Sequence, residues 1–316
     1  MRRLKVAVCM GLVAAACGDG AERTAGLGEP IRVKHAQFVA GALPGAAPGT
    51  SAGPGVPRVT NVSVANRVVL PGQSGKKLDG RASGNPTAVA MRFPEMGTGY
   101  WVLPTGSEDA QFPGELTWQA DCDFPVFAAA QPGFHTLRIV AVDENGVAGP
   151  QEEVSLCFAS KIPDNLHSCD PTQPLPEVVV TLEWDADVDL DLSVVTPQGH
   201  VVDAKHPTIA GPTDAGAPDK SGGALDRDSI ANCVPDGRRQ EDLVFPQRPK
   251  GTFDLYANLF SACGKRGAGY VLTVHEAQGD GDARQLVSTL VQKGRVIGLD
   301  ANGGTSLGTY VTSVTF

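Results

Sequence analysis

Aromatic side chains make up only 6% of this 316-residue chain, too few to line a sugar cleft generously. Beyond residue 17 no apolar run approaches the ~20 residues that a membrane-spanning helix needs, which excludes attachment by a later transmembrane helix. Positive charge is also short: 26 Lys and Arg stand against 35 Asp and Glu, for a formal net charge of −9. No basic cluster is interleaved with aromatics, so nucleic acid is excluded as a partner. Catalytic motifs are missing too. Gly72-Gln-Ser-Gly75-Lys76-Lys77 invites comparison with a phosphate loop, but Leu70 stands where Gly is needed and Lys77 where Ser or Thr is needed. His275-Glu276 has no second histidine four residues after the first. No two of the seven cysteines stand at C-x2-C spacing, which argues against a zinc site.

Glycine and proline are plentiful, at 38 and 24 residues, and predict many turns between short strands rather than long helices. The fold class expected is all-β, with two tandem β-sandwiches, immunoglobulin-like or jelly-roll-like.

At the amino-terminal end, Arg2, Arg3 and Lys5 precede an apolar stretch from Val6 to Ala16, followed by Cys17. This looks like a bacterial lipoprotein processing site, with residues 1–16 as signal peptide and Cys17 as the lipid-bearing residue. Removing the leader takes away three positive charges and leaves a still more acidic chain. Gly18 after the cysteine resembles the sorting pattern that sends lipoproteins to the outer membrane. Localisation in the cell envelope, held through lipid alone, is the expectation.

Residues 17–56, with the string GALPGAAPGTSAGPGVP, show no sustained periodicity and read as a disordered tether. As flexible coil such a segment reaches roughly 30–35 Å, enough to lift a domain clear of lipid headgroups. From 57 to 160 short strand-like runs alternate with turn residues. The segment HTLRIVAVDENGVAG followed by EEVSLCF reads as a hairpin over an Asn145-Gly146 turn. It resembles the last hairpin of immunoglobulin-like and polycystic-kidney-type extracellular modules, which implies a sandwich and no particular activity. Trp101 and Trp118 are expected in its core. Residues 161–177, with four prolines, read as a linker, and 178–316 as a second sandwich.

In an exported protein the remaining cysteines form disulfides. Cys122 with Cys157 and Cys233 with Cys263 fall into domain-local pairs, each closing a loop of about thirty residues and contributing about 3 kcal/mol in the chain-entropy model. Cys169 is left over, and a Cys157–Cys169 bridge that leaves Cys122 free is an alternative.

The second sandwich opens on a strict alternation. Val178, Val180, Leu182, Trp184, Ala186, Val188, Leu190, Leu192 and Val194 share one parity, while Thr181, Glu183, Asp185, Asp187, Asp189, Asp191 and Ser193 share the other. A period of two predicts one strand, or two joined by a bend, with an apolar face buried and a carboxylate face outward. Aspartate is disfavoured in strands, and same-face neighbours lie only ~6–7 Å apart, so the row calls for compensation. Asp226, Asp228 and Glu241 add to it, and residues 183–242 hold thirteen acidic against five basic side chains. Calcium, which takes six to eight oxygen ligands with tolerant geometry, is the natural candidate, on Asp185, Asp187, Asp189, Asp191, Asp226, Asp228 and Glu241.

Leu182-x-Trp184, Asp187-Val-Asp189-Leu-Asp191-Leu and Val194-x-x-Pro197-x-Gly199 together resemble the YfaP-type bacterial domain. Gly222-Gly223-x-Leu225-x-x-Asp228, Glu241 and Lys250-Gly251-Thr252-Phe253 follow in the family's order. The resemblance spans roughly 178–275. Asp191 stands where the family usually has His or another residue, and TIAGPTDAGAPDKS is an insertion-like stretch. The family implies a small β-sandwich on exported or envelope proteins without an established enzymatic role. A non-catalytic binding or structural module for a protein or polysaccharide ligand is therefore expected. A carbohydrate-acting hydrolase, or its accessory binding subunit, is the alternative.

Overall fold

Every second residue of Lys76–Ser83 is buried, and the same alternation marks Glu115–Asp123, where Trp118, Ala120 and Cys122 point inward. Strands of this kind bury one face each and must stack in pairs of sheets. The computed structural model describes residues 25–126, 131–209 and 222–316. Its strands fall into two such stacks. Cys17 and the leader lie outside the described residues.

The first stack contains β1 (Arg32–Val33), β2 (Gln37–Ala40), β3 (Arg58–Ser63), β4 (Val68–Val69), β5 (Lys76–Ser83), β6 (Ala88–Arg92), β7 (Gly99–Pro104), β8 (Glu115–Asp123), β9 (Gly133–Val142) and β10 (Glu152–Phe158). One sheet runs β1-β8-β5-β3 and the other β2-β7-β6-β9-β10-β4. They share a core in which Leu78 and Trp118 of one sheet meet Val89, Leu137 and Leu156 of the other. Both tryptophans are buried, and Trp101 donates its indole N–H to the Ile31 carbonyl at 2.7 Å. Neither is placed for stacking on a sugar. The β9–β10 turn is tied by Asp143, whose Oδ1 accepts the Asn145 and Val147 amides, and Gly146 supplies the positive φ of 78°.

Part of the expected tether belongs to this sandwich. β1 pairs with β8 and β2 with β7, Ile31 and Val33 are buried, and Glu29 accepts from the amide and hydroxyl of Thr98. Only two or three residues alternate here, too few to register as periodicity in a Gly- and Pro-rich stretch. Deleting residues 25–46 is expected to lower the Tm of the first sandwich by roughly 15 °C, since each buried branched side chain contributes about 1.5–3 kcal/mol. An unchanged melting curve would return the segment to the tether.

Cysteine pairing also departs from expectation in one half. Cys157 bonds Cys169, with Cα atoms 5.8 Å apart, and Cys233 bonds Cys263. Cys122 is free and buried. It lies on β8 while Cys157 lies on β10 of the facing sheet, whereas the turns after β10 bring Cys169 back beside Cys157. Burial first, then the neighbouring Asp121 and Asp123, push the Cys122 thiol up to about 12.

The second stack contains β11 (Val178–Trp184), β12 (Asp189–Val195), β13 (Val201–Val202), β14 (Ala224–Leu225), β15 (Gln240–Phe245), β16 (Thr252–Ser261), β17 (Gly267–Gln278), β18 (Gln285–Ile297) and β19 (Thr309–Thr315). The sheets are β14-β15-β11-β17-β18 and β13-β12-β16-β19. The alternating run therefore splits at residues 185–188, and the chain steps from one sheet to the other. Its apolar parity fills one core from both sides: Val178, Val180 and Leu182 meet Leu190, Leu192 and Val194. Trp184 closes the step by donating to the Val188 carbonyl at 3.1 Å.

Candidate metal centre

From Asp189 onward the carboxylate parity does not face water as expected. Asp189 and Asp191 are 2% and 6% exposed, and Ser193 is buried beside them. A loop covers this face: Asn232 donates its amide to Asp189 Oδ2 at 2.8 Å, and Cys233 is bonded to Cys263 just beyond the end of β16. The loop turns through left-handed backbone at Ile230, Asn232 and Cys233, with φ of 60°, 54° and 63°. It carries Asp228, which is exposed. Carboxylate oxygens of Asp189, Asp191 and Asp228 come within 4.8 Å of one another.

Electrostatics at this trio are unfavourable as they stand. Burial raises Asp189 to about 6, with the Asp228 charge adding to the rise and the Asn232 and Cys233 amides opposing it. Burial likewise raises Asp191 to about 7, helped by Asp189, Asp228 and Asp203 and opposed by Lys205. Asp228, though exposed at its surface, is raised by partial desolvation and by the charge of Asp236. Among the described residues no group donates a hydrogen bond to the Asp191 carboxylate. A buried carboxylate without donors is costly unless a cation or a proton meets it. The donor set, all carboxylate oxygen, suits a hard divalent cation and not a soft one.

Only these three of the seven predicted ligands converge. Asp185 Oδ1 instead accepts the Gly269 amide at 2.8 Å, at the step between sheets. Asp187 is half-buried and paired with Arg239 at 2.8 Å. Asp226 accepts the Asp242 amide through Oδ1 and meets Arg227 through Oδ2. Glu241 is fully buried and spans the stack: Oε2 accepts the Leu192 amide at 2.7 Å and Oε1 the Ser229 amide at 3.1 Å. β13 pairs only with Val194 and Val195, so the Leu192 amide on that edge of β12 finds its acceptor in Glu241. Burial, then the charge of Asp191, holds the Glu241 carboxyl well above its usual range. Sequence parity brought Asp189 and Asp191 to attention, but the bend and the loop decide who joins them.

Neighbouring Asp242, also buried, accepts from the Thr181 hydroxyl at 2.6 Å and from the Gln240 amide, and burial with Asp226 raises it to about 7.

Among the described residues the features of a hydrolase do not assemble. A cavity of about 470 Å³ touches Trp184, Glu183 and Asp187, but Glu183 is paired with Lys161, Asp187 with Arg239, and the Trp184 indole N–H is spent on Val188. Two strings have the spelling of a nucleophile elbow, Gly49-Thr50-Ser51-Ala52-Gly53 and Gly304-Thr305-Ser306-Leu307-Gly308. The first lies in irregular backbone and the second leads into β19, so neither has the strand-turn-helix setting.

No family model and no curated protein matches the chain. Among solved structures it is similar to the D00-D0 domain of intimin, at 10% identity and a TM-score of 0.17, covering 73% of this chain and 98% of that one. It is also similar to the C-terminal domain of the AgI/II polypeptide BspA of Streptococcus agalactiae, at 11% identity and a TM-score of 0.19, covering 64% and 95%. Both overlays are too loose to bear on the function of this chain.

Proposed function

We propose that this chain is a non-catalytic envelope lipoprotein, anchored through Cys17 in the outer membrane, whose second sandwich is a calcium-stabilised binding module of the YfaP type. The observation that carries the cation is Asp191, buried and without a hydrogen-bond donor among the described residues, set between Asp189 and Asp228. A cation of two charges offsets most of the mutual repulsion of three carboxylates and joins the strand to the covering loop. Asp189, Asp191 and Asp228 would hold it, and it would supply cross-linking and charge. An exported address supports the reading, because extracellular modules bind calcium at ~10⁻⁴–10⁻³ M. The lipid anchor rests on the basic leader, the apolar stretch and Cys17.

The test is a thermal melt of the exported chain carrying Cys17→Ser, in millimolar calcium and in excess chelator. Calcium at about 10 mM, roughly 100 times a dissociation constant of ~10⁻⁴ M, adds about 2.7 kcal/mol, an expected rise of roughly 10 °C in the second transition. Superimposable curves in calcium and chelator would remove the ion from the account. The lipid is tested separately, by mass spectrometry of the amino-terminal peptide from the membrane fraction of wild-type cells. Acyl mass on Cys17 is expected there, and an unmodified amino terminus would overturn it.

A further inference from the structure

We infer that the calcium is a ligand-binding group, and that it takes the vicinal hydroxyls of a neutral sugar; this rests on the cation site proposed above. Calcium takes six to eight oxygens. Three carboxylates, one of whose oxygens already accepts the Asn232 amide, supply fewer. The balance comes from the open side, where Asp228 is exposed and a cavity of about 160 Å³ lies against the trio. That is room for about five waters at ~30 Å³ each, or for the hydroxyl-bearing edge of one sugar ring.

The rest of the lining suits such an edge. Asn258, directly opposite Asp191 on β16, is buried and takes the Asn302 amide on its Oδ1 at 2.6 Å. Its own amide N–H₂ has no acceptor among the described residues, and Asn258 lines the cavity, where that group would serve as a donor to a hydroxyl oxygen. Phe260 adds half-buried apolar surface for the C–H face of the ring, and Gly304 gives it room: a Cβ there would stand 3.1 Å from both the Phe260 ring and the Lys205 ammonium. Asp191 is the built part of the site, buried and directed into this cavity without a donor of its own among the described residues.

Charge selects the class of ligand. Three carboxylates around a doubly charged ion leave one negative charge, and Asp203 and Lys205 in the same lining offset each other. An acidic sugar would meet that residual charge, whereas a neutral diol brings two lone-pair oxygens and no repulsion.

The experiment titrates the Cys17→Ser chain with the methyl glycosides of mannose, galactose, glucose and fucose, with glucuronic acid and with a 3,4-dideoxy hexoside. Calorimetry in millimolar calcium and in chelator reads the binding. At least one neutral glycoside is expected to bind in calcium, and to lose at least tenfold in affinity in chelator. The dideoxy compound and glucuronic acid are expected to bind more weakly than that glycoside. Asn258→Ala should weaken it at least fivefold while keeping the calcium-induced rise in Tm. If calcium raises Tm but no neutral glycoside binds, or binding persists in chelator, or glucuronic acid binds best, the diol inference is overturned and the cation site stands. If calcium has no effect on melting, the cation site itself is overturned.

Discussion

Glu241→Ala is expected to lower the melting temperature of the second sandwich by roughly 10–20 °C. The carboxylate is fully buried and is the acceptor for two backbone amides, Leu192 on β12 and Ser229 in the covering loop. Alanine leaves both donors unpaired, at about 1–3 kcal/mol each, and a cavity besides. The opposing effect is relief of the buried carboxyl itself. Burial and the charge of Asp191 hold that group well above its usual range, and removing it recovers that desolvation cost, which is smaller than two unpaired amides and a cavity together. The loss therefore dominates, at about 3–5 kcal/mol, and about 4 °C accompanies each kcal/mol in a domain of this size. Glu241→Gln keeps one acceptor and presents N–H₂ to the other amide, so an intermediate loss is expected. Circular dichroism melts in chelator check this; a change below about 3 °C for the alanine variant would show that Glu241 is not the tie between the sheets.

Asp191→Asn should act with opposite signs in chelator and in calcium. A carboxyl raised to about 7 in the fold contributes stability that is fully present below its ordinary unfolded pKa and is lost as pH rises to the folded value. As pH rises from about 4 to about 7 the unfolded chain releases its proton while the fold retains it, so stability falls across this window and levels off above it. Asp242, raised to about 7, and Asp189, to about 6, act in the same direction. In chelator at pH 8 the asparagine variant, which has no such group at 191, is expected to melt roughly 5–10 °C above the parent and to show a shallower pH slope. In calcium the order reverses, because the parent gains the ion and the variant lacks its buried ligand. Melts of both proteins at pH 4, 6 and 8, with chelator and with calcium, decide the point. A variant that melts below the parent in chelator at pH 8 would mean that the carboxylate is matched by a positive group or a donor.

Local composition and short-range pattern decided the β character of the chain, the β9–β10 hairpin and the inward parity from Val178 to Val194. These depend on neighbours two to four residues apart, and the hydrophobic effect acts on them wherever the strand is placed. The Cys233–Cys263 bridge was also legible, because these are the two cysteines that residues 178–316 contain and no third one competes. Three things depended on distant residues meeting. The strands Arg32–Val33 and Gln37–Ala40 are too short to announce themselves and acquire their role only from β8 and β7. The partner of Cys157 depended on which sheet each cysteine occupies, and Cys122 went to the other one. Among the acidic residues, parity grouped Asp185, Asp187, Asp189 and Asp191 as equals; the step between sheets separated the first pair from the second. The covering loop then buried Asp189 and Asp191 and brought in Asp228 from 37 residues beyond Asp191. Sequence alone determined where carboxylates outnumber their partners, since charge and spacing are read residue by residue. Which of them share one space was decided by the crossing of two sheets, because electrostatic cost depends on distance and burial, and neither exists until the chain is folded.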